Sequence, residues 1–126
     1  MIAYIDTHIA IRLAQAQVRK ISKEAARIVN AANLLVSPAV LLEMEILYEI
    51  ERFDRSPQAM LAQLRTEIEL KVCDLPFPDV AEMAGFEGWT RDPFDRLIVA
   101  QARLRGNAPL ITADERILQN YPRAVW

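Results

Sequence analysis

Four acidic residues in this chain stand at places where a carboxylate is difficult to accommodate. Two of them follow apolar runs that read as strands, and two lie in apolar stretches with helical spacing. They are Asp6 and Asp114, and Glu43 and Asp95, respectively. A carboxylate at the end of a buried strand or on the core face of a helix is destabilising unless a cation pairs with it. A hard divalent metal ion can pair with all four, so their placement predicts a metal-dependent enzyme.

The elements that must position these acids alternate between short apolar runs and amphipathic stretches. The pattern predicts strands at 2–6, 34–36, 71–74, 108–111 and 124–126, and helices at about 7–17, 23–32, 38–52, 57–69, 80–84, 93–105 and 113–119. Ser-Pro and Asp-Pro pairs mark three of the helix starts, because proline suits the first helical position. Such alternation favours an α/β fold with a mainly parallel sheet. Ligands of these sheets bind beyond the carboxyl ends of the strands, where Asp6 and Asp114 fall.

Composition sets limits on the class of protein. The chain has 126 residues, of which 52% are hydrophobic and 25% charged, as expected for one globular domain. No run is long enough to predict a membrane span, and no secretory signal is predicted. The single cysteine, Cys73, permits no internal disulfide and fits a cytoplasmic setting. The net charge is −2, with twelve Arg and three Lys, so the whole chain lacks the basic balance of many nucleic-acid binders.

Three of the four acids, Asp6, Asp95 and Asp114, also have a structural interpretation. Asp6 precedes a predicted helix and belongs to a favoured N-cap residue type, so capping alone would explain it. Asp114 lies where a helix dipole favours an acid, and Thr112 with Glu115 matches a capping box. Glu43 has only apolar residues three and four positions away, which favours a functional carboxylate. Capping can explain an individual acid, but it explains less easily why all four acids occur together at such places.

Asp92 and Asp95 are neighbours that we assign to different roles. Pro93 suits the first helical position, so Asp92 is the predicted N-cap. Asp95 stands at the third position, where it could return the bond of a capping box. Its neighbours one turn further along the helix are apolar, which directs it toward the core. We therefore assign Asp95 to chemistry and Asp92 to capping or support of the site.

The remaining polar residues give weaker signals. His8 is the only histidine, so a His-rich metal site is excluded, and it reads as a structural residue or one at the edge of a substrate site. Arg91 and Arg96 flank the acids and fit either surface charge or contact with a phosphate. Trp89 is predicted to pack. Only three glycines are present, and no glycine-rich phosphate loop occurs.

Four motifs combine in this chain: Asp6-Thr7-His8, Ser37-Pro38 with Glu43, Asp92-Pro93-Phe94-Asp95-Arg96, and Thr112-Ala113-Asp114. In this combination the chain resembles the PIN-domain ribonucleases, in particular the VapC-type toxins of bacterial toxin–antitoxin modules. The resemblance covers essentially the full length. It implies one PIN-like domain over residues 1–126, with a three-layer α/β fold whose mainly parallel sheet is flanked by helices.

The resemblance also implies a site, an activity and partners. Asp6, Glu43, Asp95 and Asp114 would be both the catalytic acids and the ligands of Mg²⁺, with Mn²⁺ as an alternative ion. Thr112, Thr7 and Asp92 would support them, and Arg91 and Arg96 would contact substrate. The implied reaction is hydrolysis of RNA phosphodiester bonds by a metal-activated water. A VapB-type antitoxin would neutralise the protein, and the protein would form a homodimer.

Two other functions stay open on the sequence. A phosphoacceptor signalling domain also gathers acids at strand ends, but it needs a lysine after a late strand, and the only lysines here are Lys20, Lys23 and Lys71. A catalytically idle PIN-like binding module would act purely through a partner. A metal-dependent nuclease assay discriminates the enzyme from the idle module.

Overall fold

Five short strands form one sheet in the computed structural model, which describes residues 1–126 except for the side chain of Val18. The strands are β1 (Ile2–Ile5), β2 (Asn33–Val36), β3 (Lys71–Val72), β4 (Leu110–Ile111) and β5 (Ala124–Val125). Their order in the sheet is β3-β2-β1-β4-β5, and each of these pairings is parallel. The predicted α/β fold with a parallel sheet flanked by helices is confirmed.

Seven α-helices of the described chain accompany the sheet. They are α1 (Thr7–Ala14), α2 (Lys23–Ala31), α3 (Pro38–Glu49), α4 (Pro57–Glu67), α5 (Phe77–Ala84), α6 (Pro93–Leu104) and α7 (Glu115–Asn120), with a short 3-10 turn at Val18–Lys20. Ser22, Ser37 and Ser56 cap α2, α3 and α4 through their hydroxyl groups, as their sequence positions predict. The Ser-Pro and Asp-Pro pairs therefore fix three helix starts locally.

The helices α1 and α3 end before their predicted bounds, because the chain after each adopts a left-handed backbone at a residue that is not glycine. Ala16 has φ 55° and follows α1, and Glu51 has φ 62° and follows α3. Beyond each helix, backbone N–H groups return to carbonyls of the last turn, for example from Gln17 to Arg12 and from Arg52 to Leu47. This pattern satisfies the carbonyls that a helix end leaves unpaired. Nothing in the local sequence marks these two stops.

The helix α5 starts before the predicted 80–84 segment. Pro76 is its N-cap, and Pro78 lies inside its first turn instead of breaking the chain. A proline is tolerated there because the first N–H groups of a helix need no partner within the helix.

The core lies on both sides of the central strand β1, whose residues Ala3, Tyr4 and Ile5 are completely buried. From β1 the chain builds outward to β2 and β3, then returns to place β4 and β5 on the other side of β1. The boundary between β1 and β4 is thus the point where the strand order reverses, and α/β sheets bind ligands at such a point. The parallel register puts Asp6 beside Thr112 there.

One face of α3 is left uncovered. Leu42 and Ile50 are more than half exposed, and Ile46 is also exposed. These three residues are spaced by four and form one apolar ridge.

No helix of the described chain is long and apolar enough to cross a membrane.

Candidate active site

Asp6 joins the ends of the two central strands. It is only 5% exposed, and its two carboxylate oxygens have different partners. Oδ1 accepts the Thr7 backbone N–H at 2.7 Å, which makes Asp6 the N-cap of α1, and Oδ2 accepts the Thr112 hydroxyl at 2.7 Å. Asp6 is therefore an N-cap, as one interpretation of the sequence held, but capping accounts only for its Oδ1. The Thr112 hydroxyl holds the other oxygen at the β1–β4 boundary.

Glu43 reaches the same end of the sheet from α3. Its Oε1 accepts a hydrogen bond from the hydroxyl of Thr7, which is completely buried. Val40 is buried beside it, but Ile46 is exposed, so the surroundings of Glu43 are less uniformly apolar than predicted. Thr7 thus orients Glu43 as Thr112 orients Asp6.

Asp92 and Asp95 take different positions at the start of α6. The Asp92 carboxylate accepts the backbone N–H groups of Phe94 and Asp95 at 2.8 and 3.3 Å, which confirms it as the N-cap. The reciprocal bond of a capping box is absent from the described contacts, because the Asp92 N–H donates to the Thr90 hydroxyl instead. No donor of the described residues bonds the half-buried Asp95 carboxylate. Asp95 is therefore free of the structural task that the sequence left open for it.

Asp114 approaches from the far side of the β1–β4 boundary. Its Oδ1 accepts the N–H groups of Arg116 and Ile117 at 2.9 and 3.1 Å, so it is the N-cap of α7. The predicted capping box of Thr112 with Glu115 is wrong. The Thr112 hydroxyl is engaged by Asp6 and by the Asp114 N–H, and the helix consequently starts after Asp114.

Burial and mutual repulsion raise the pKa of Asp95 to about 7. Burial is the larger cause, followed by the negative charges of Asp92, Asp6, Asp114 and Glu43. A carboxylate that senses all of these charges lies in their common field. We call Asp6, Glu43, Asp95 and Asp114 the acidic cluster. Folding brings together the four acids that the sequence singled out.

Burial likewise raises the pKa of Asp6 and that of Glu43. For Asp6 the bonds from Thr112 and Thr7 act in the opposite direction, and for Glu43 the Thr7 hydroxyl does so. The charge of His8 lowers the pKa of both acids. His8 is an exposed residue beside the cluster.

The acidic cluster fits a hard divalent cation by its chemistry. Every donor in it is an oxygen, the kind of ligand that Mg²⁺ and Mn²⁺ prefer. A cation would relieve the repulsion that raises the pKa of Asp95. Within the described residues, however, no three His, Cys, Asp or Glu side chains already form a group that could hold a metal ion. Asp6, Glu43 and Asp114 accept hydrogen bonds from protein donors, but the described bonds leave Oε2 of Glu43 and Oδ2 of Asp114 without a donor.

The two arginines near the cluster contact the backbone of the loop before α6. Arg91 is exposed and donates to the Gly88 carbonyl at 3.0 Å, and half-buried Arg96 donates through Nε to the Thr90 carbonyl at 2.8 Å. Each has further guanidinium N–H groups beyond these bonds.

Sequence reasoning missed Glu87, which lies in a segment predicted only as a loop. It is 2% exposed, and it bonds both Trp89 and Arg103. A charged residue between Phe86 and Gly88 gives no periodic signal of burial, so nothing in the sequence marked it. Trp89 packs against the core as predicted.

Comparison with known proteins identifies the fold independently. The PIN domain family model matches residues 3–123. Among curated proteins, none matches this chain.

Three solved structures are similar over nearly the full length. VapBC2 from Rickettsia felis, bound to a DNA fragment from its promoter, has 18% identity and a TM-score of 0.66, covering 99% of this chain and 96% of that one. A toxin–antitoxin complex from Klebsiella pneumoniae has 21% identity and a TM-score of 0.66, covering 98% and 96%. VapBC-1 from nontypeable Haemophilus influenzae has 19% identity and a TM-score of 0.56, covering 100% and 96%. At these identities the likeness is one of fold.

Proposed function

Because this chain belongs to the PIN-domain family, we propose that it is a metal-dependent endoribonuclease toxin of the VapC type. The observation that carries the proposal is the gathering of four carboxylates at the β1–β4 boundary, with the pKa of Asp95 raised to about 7. An enzyme that binds a cation for catalysis needs uncompensated negative charge of this kind. The substrate is RNA, and the reaction is hydrolysis of its phosphodiester bonds.

Asp6, Glu43, Asp95 and Asp114 are the residues that would hold Mg²⁺, with Mn²⁺ as a substitute. When bound, the ion supplies an activated water and neutralises charge on the reacting phosphate. The protein's own part is to aim the acids. Thr112 fixes one oxygen of Asp6, and Thr7 fixes one oxygen of Glu43. Partners of this kind orient the ligands of a metal and tune its binding.

The start of α6 supplies support and substrate contact. Asp92 caps the helix and so holds the backbone of Asp95 in place. Arg91 and Arg96 keep N–H groups that can donate to a phosphate, and a guanidinium can do so through two parallel bonds. We assign both arginines to positioning of the RNA backbone. The net charge of the protein is −2, so without such local positive charge it would repel the RNA phosphates.

Removal of single carboxylates tests the activity. Asp6→Asn and Asp95→Asn should abolish Mg²⁺-dependent RNA cleavage and growth inhibition while the folded state persists by circular dichroism. Sequencing of RNA ends after induction of the wild type, with Asp6→Asn as the control, identifies the cleaved RNA. Unchanged cleavage by either variant rejects the proposal. A wild type that binds a partner yet cleaves no RNA with any divalent ion is the idle binding module instead.

We propose a VapB-type antitoxin as the regulatory partner. The similar structures include a toxin–antitoxin complex and two VapBC assemblies. An acidic cluster with excess negative charge is suited to a basic segment, which would replace the charge of the metal. The affinity for Mn²⁺ should therefore fall in the complex, as measured by calorimetry. Equal affinity in the free protein and the complex contradicts this mode of neutralisation.

A homodimer is the further assembly that we propose, through the uncovered face of α3. A groove of about 340 Å³ between α3, α5 and α6 is lined chiefly by apolar residues, among them Leu42, Phe77, Val80, Phe94 and Leu97. Gln101 also lines it and is 2% exposed, yet its Oε1 has no described hydrogen-bond partner. This face thus combines an apolar ridge, a groove and an unsatisfied acceptor. The ridge of one protomer can pack into the groove of its partner, and a two-fold interface needs such self-complementarity.

Matched phenylalanine variants test the dimer. Phe77 lines the groove, whereas Phe86 is exposed outside it. Phe77→Ser should weaken self-association at least about tenfold, as expected for a central apolar anchor, whereas Phe86→Ser should leave it unchanged. Sedimentation velocity over a concentration series measures both. A monomeric wild type at high micromolar concentration rejects the dimer.

The remaining proposals concern organisation and setting. Residues 1–126 act as one domain, so unfolding should follow a single cooperative transition. The protein works in the cytoplasm, where a lone thiol such as Cys73 stays reduced.

A further inference from the structure

The loop between α5 and α6, residues 85–91, is tied to the rest of the protein by buried charge. Glu87 lies inside it with almost no exposure. One oxygen of Glu87 accepts a bond from Nε of Arg103, and the other accepts Nε1 of Trp89 at 2.6 Å. Both oxygens of this carboxylate are therefore occupied by donors, as a buried charge requires.

One set of contacts joins this α5–α6 loop to α6. Arg103, in the last turn of α6, pairs with Glu87. Arg96, near the start of α6, donates to the Thr90 carbonyl at 2.8 Å. The Thr90 hydroxyl accepts the N–H of Asp92, the cap of the same helix. Both ends of α6 are thus held by the loop that precedes it.

A second set of contacts joins the same loop to α7. Arg116 donates to the Trp89 carbonyl at 2.6 Å. Arg103 donates to the Asn120 carbonyl at 3.4 Å, and its guanidinium lies 5.0 Å from the centre of the Tyr121 ring. Arg103 therefore contacts the end of α7 while it pairs with Glu87. The loop therefore connects α6 with α7, the helix that follows β4.

These two helices carry opposite sides of the acidic cluster. Asp95 lies in the first turn of α6, and Asp114 is the cap of α7. We propose that Glu87 is a positioning residue, which through Trp89 and Arg103 sets the placement of Asp95 relative to Asp114. The proposal rests on the proposed function, because the spacing of two acids matters only if both bind one ion. Glu87 itself touches neither the ion nor the substrate.

Glu87→Gln tests the role with little change of volume. A glutamine offers one acceptor oxygen and one NH₂ group, so either Trp89 Nε1 or Arg103 Nε loses its acceptor. We expect the affinity for Mn²⁺ in the absence of RNA, measured by calorimetry, to fall about tenfold, the lower end for residues that act behind metal ligands. The Mg²⁺ concentration for half-maximal cleavage should rise by a similar factor.

A control variant separates positioning from loss of stability. Ile28 is buried in α2, away from the loop, and Ile28→Ala leaves a cavity there. It should lower the melting temperature at least as much as Glu87→Gln yet keep the affinity for Mn²⁺ of the wild type. If both variants lose Mn²⁺ affinity in proportion to their stability, Glu87 has only a structural role, and the proposal is wrong.

Arg116→Met keeps the test usable if Glu87→Gln does not fold. Arg116 is exposed, and the substitution removes its bond to the Trp89 carbonyl without burying a lone charge. Weaker Mn²⁺ binding is the expected result, and unchanged binding overturns the proposal. Asp95→Asn distinguishes the two levels of failure. If it binds Mn²⁺ as the wild type does, the metal site is wrong. If Asp95→Asn loses Mn²⁺ affinity but the Glu87 and Arg116 variants bind Mn²⁺ as the wild type does, the metal site stands and the positioning role fails.

Discussion

Glu87 and Asp95 are acids only eight positions apart, and the groups around them differ in charge. Glu87 is almost fully buried and is bonded by Arg103 and Trp89. Asp95 is half-buried, faces four other carboxylates, and accepts no described hydrogen bond. The first arrangement compensates a charge within the protein. The second leaves negative charge uncompensated, as the proposed binding of a cation by Asp95 requires.

The largest expected difference concerns activity. Asp95→Asn should lower RNA cleavage at saturating Mg²⁺ by at least about 100-fold, because loss of a ligand exceeds the effect known for residues behind the ligands. Single-turnover assays on an RNA cleaved by the wild type measure this. A loss of tenfold or less would place Asp95 outside the metal site and remove the contrast with Glu87.

Stability without metal should respond in the opposite order. Glu87→Ala leaves Arg103 and Trp89 without their acceptor and should destabilise the protein by about 2–4 kcal/mol. Asp95→Asn removes a repelled charge, so at neutral pH the metal-free variant should be at least as stable as the wild type. Urea unfolding in EDTA measures both variants. If Asp95→Asn is the less stable of the two, the cluster has a structural role that the contacts do not reveal.

The pH dependence of stability should sharpen the same contrast. The pKa of Asp95 is about 7 in the folded state against 3.8 for the free side chain, so the folded state binds the extra proton between these values. Unfolding free energy in EDTA must then fall as pH rises from about 4 to about 7. The contribution of Asp95 is roughly 1–2 kcal/mol after allowance for its partial exposure to solvent. Urea titrations across this range should show a smaller fall in Asp95→Asn, and parallel curves would refute the raised pKa.

The smallest expected effect is a proton count. Near pH 7 a group with this pKa is about half protonated, so binding of Mg²⁺ should release roughly half a proton from Asp95. Calorimetry in buffers of different ionisation enthalpy measures the release. In the Asp95→Asn variant any release should be smaller. An apparent binding enthalpy that is the same in every buffer would show that the ion displaces no proton.

Local rules were sufficient for most of the elements. Ser37-Pro38, Ser56-Pro57 and Asp92-Pro93 start helices in the structure as in the sequence, because capping depends only on the next few residues. The ends of α1 and α3 were misplaced, since Ala16 and Glu51 adopt a left-handed backbone that their residue types do not favour.

The proximity of the four acids was more predictable than their hydrogen bonds. Strand ends and apolar neighbours identified Asp6, Glu43, Asp95 and Asp114 as a set, and the structure brings them together. The cap of α7 was assigned to Thr112, whose hydroxyl instead bonds Asp6, a residue 106 positions away. No local pattern encodes a partner at that separation.

By itself the sequence determined the alternation of strands and helices, the parallel sheet and the four acids, because periodicity and capping act over a few residues. Only the tertiary structure decided the rest. The strand order placed Asp6 beside Thr112, and the packing of the α5–α6 loop buried Glu87 with Arg103. The physical reason is that a carboxylate's role depends on the charges around it, and those charges come from residues distant in sequence.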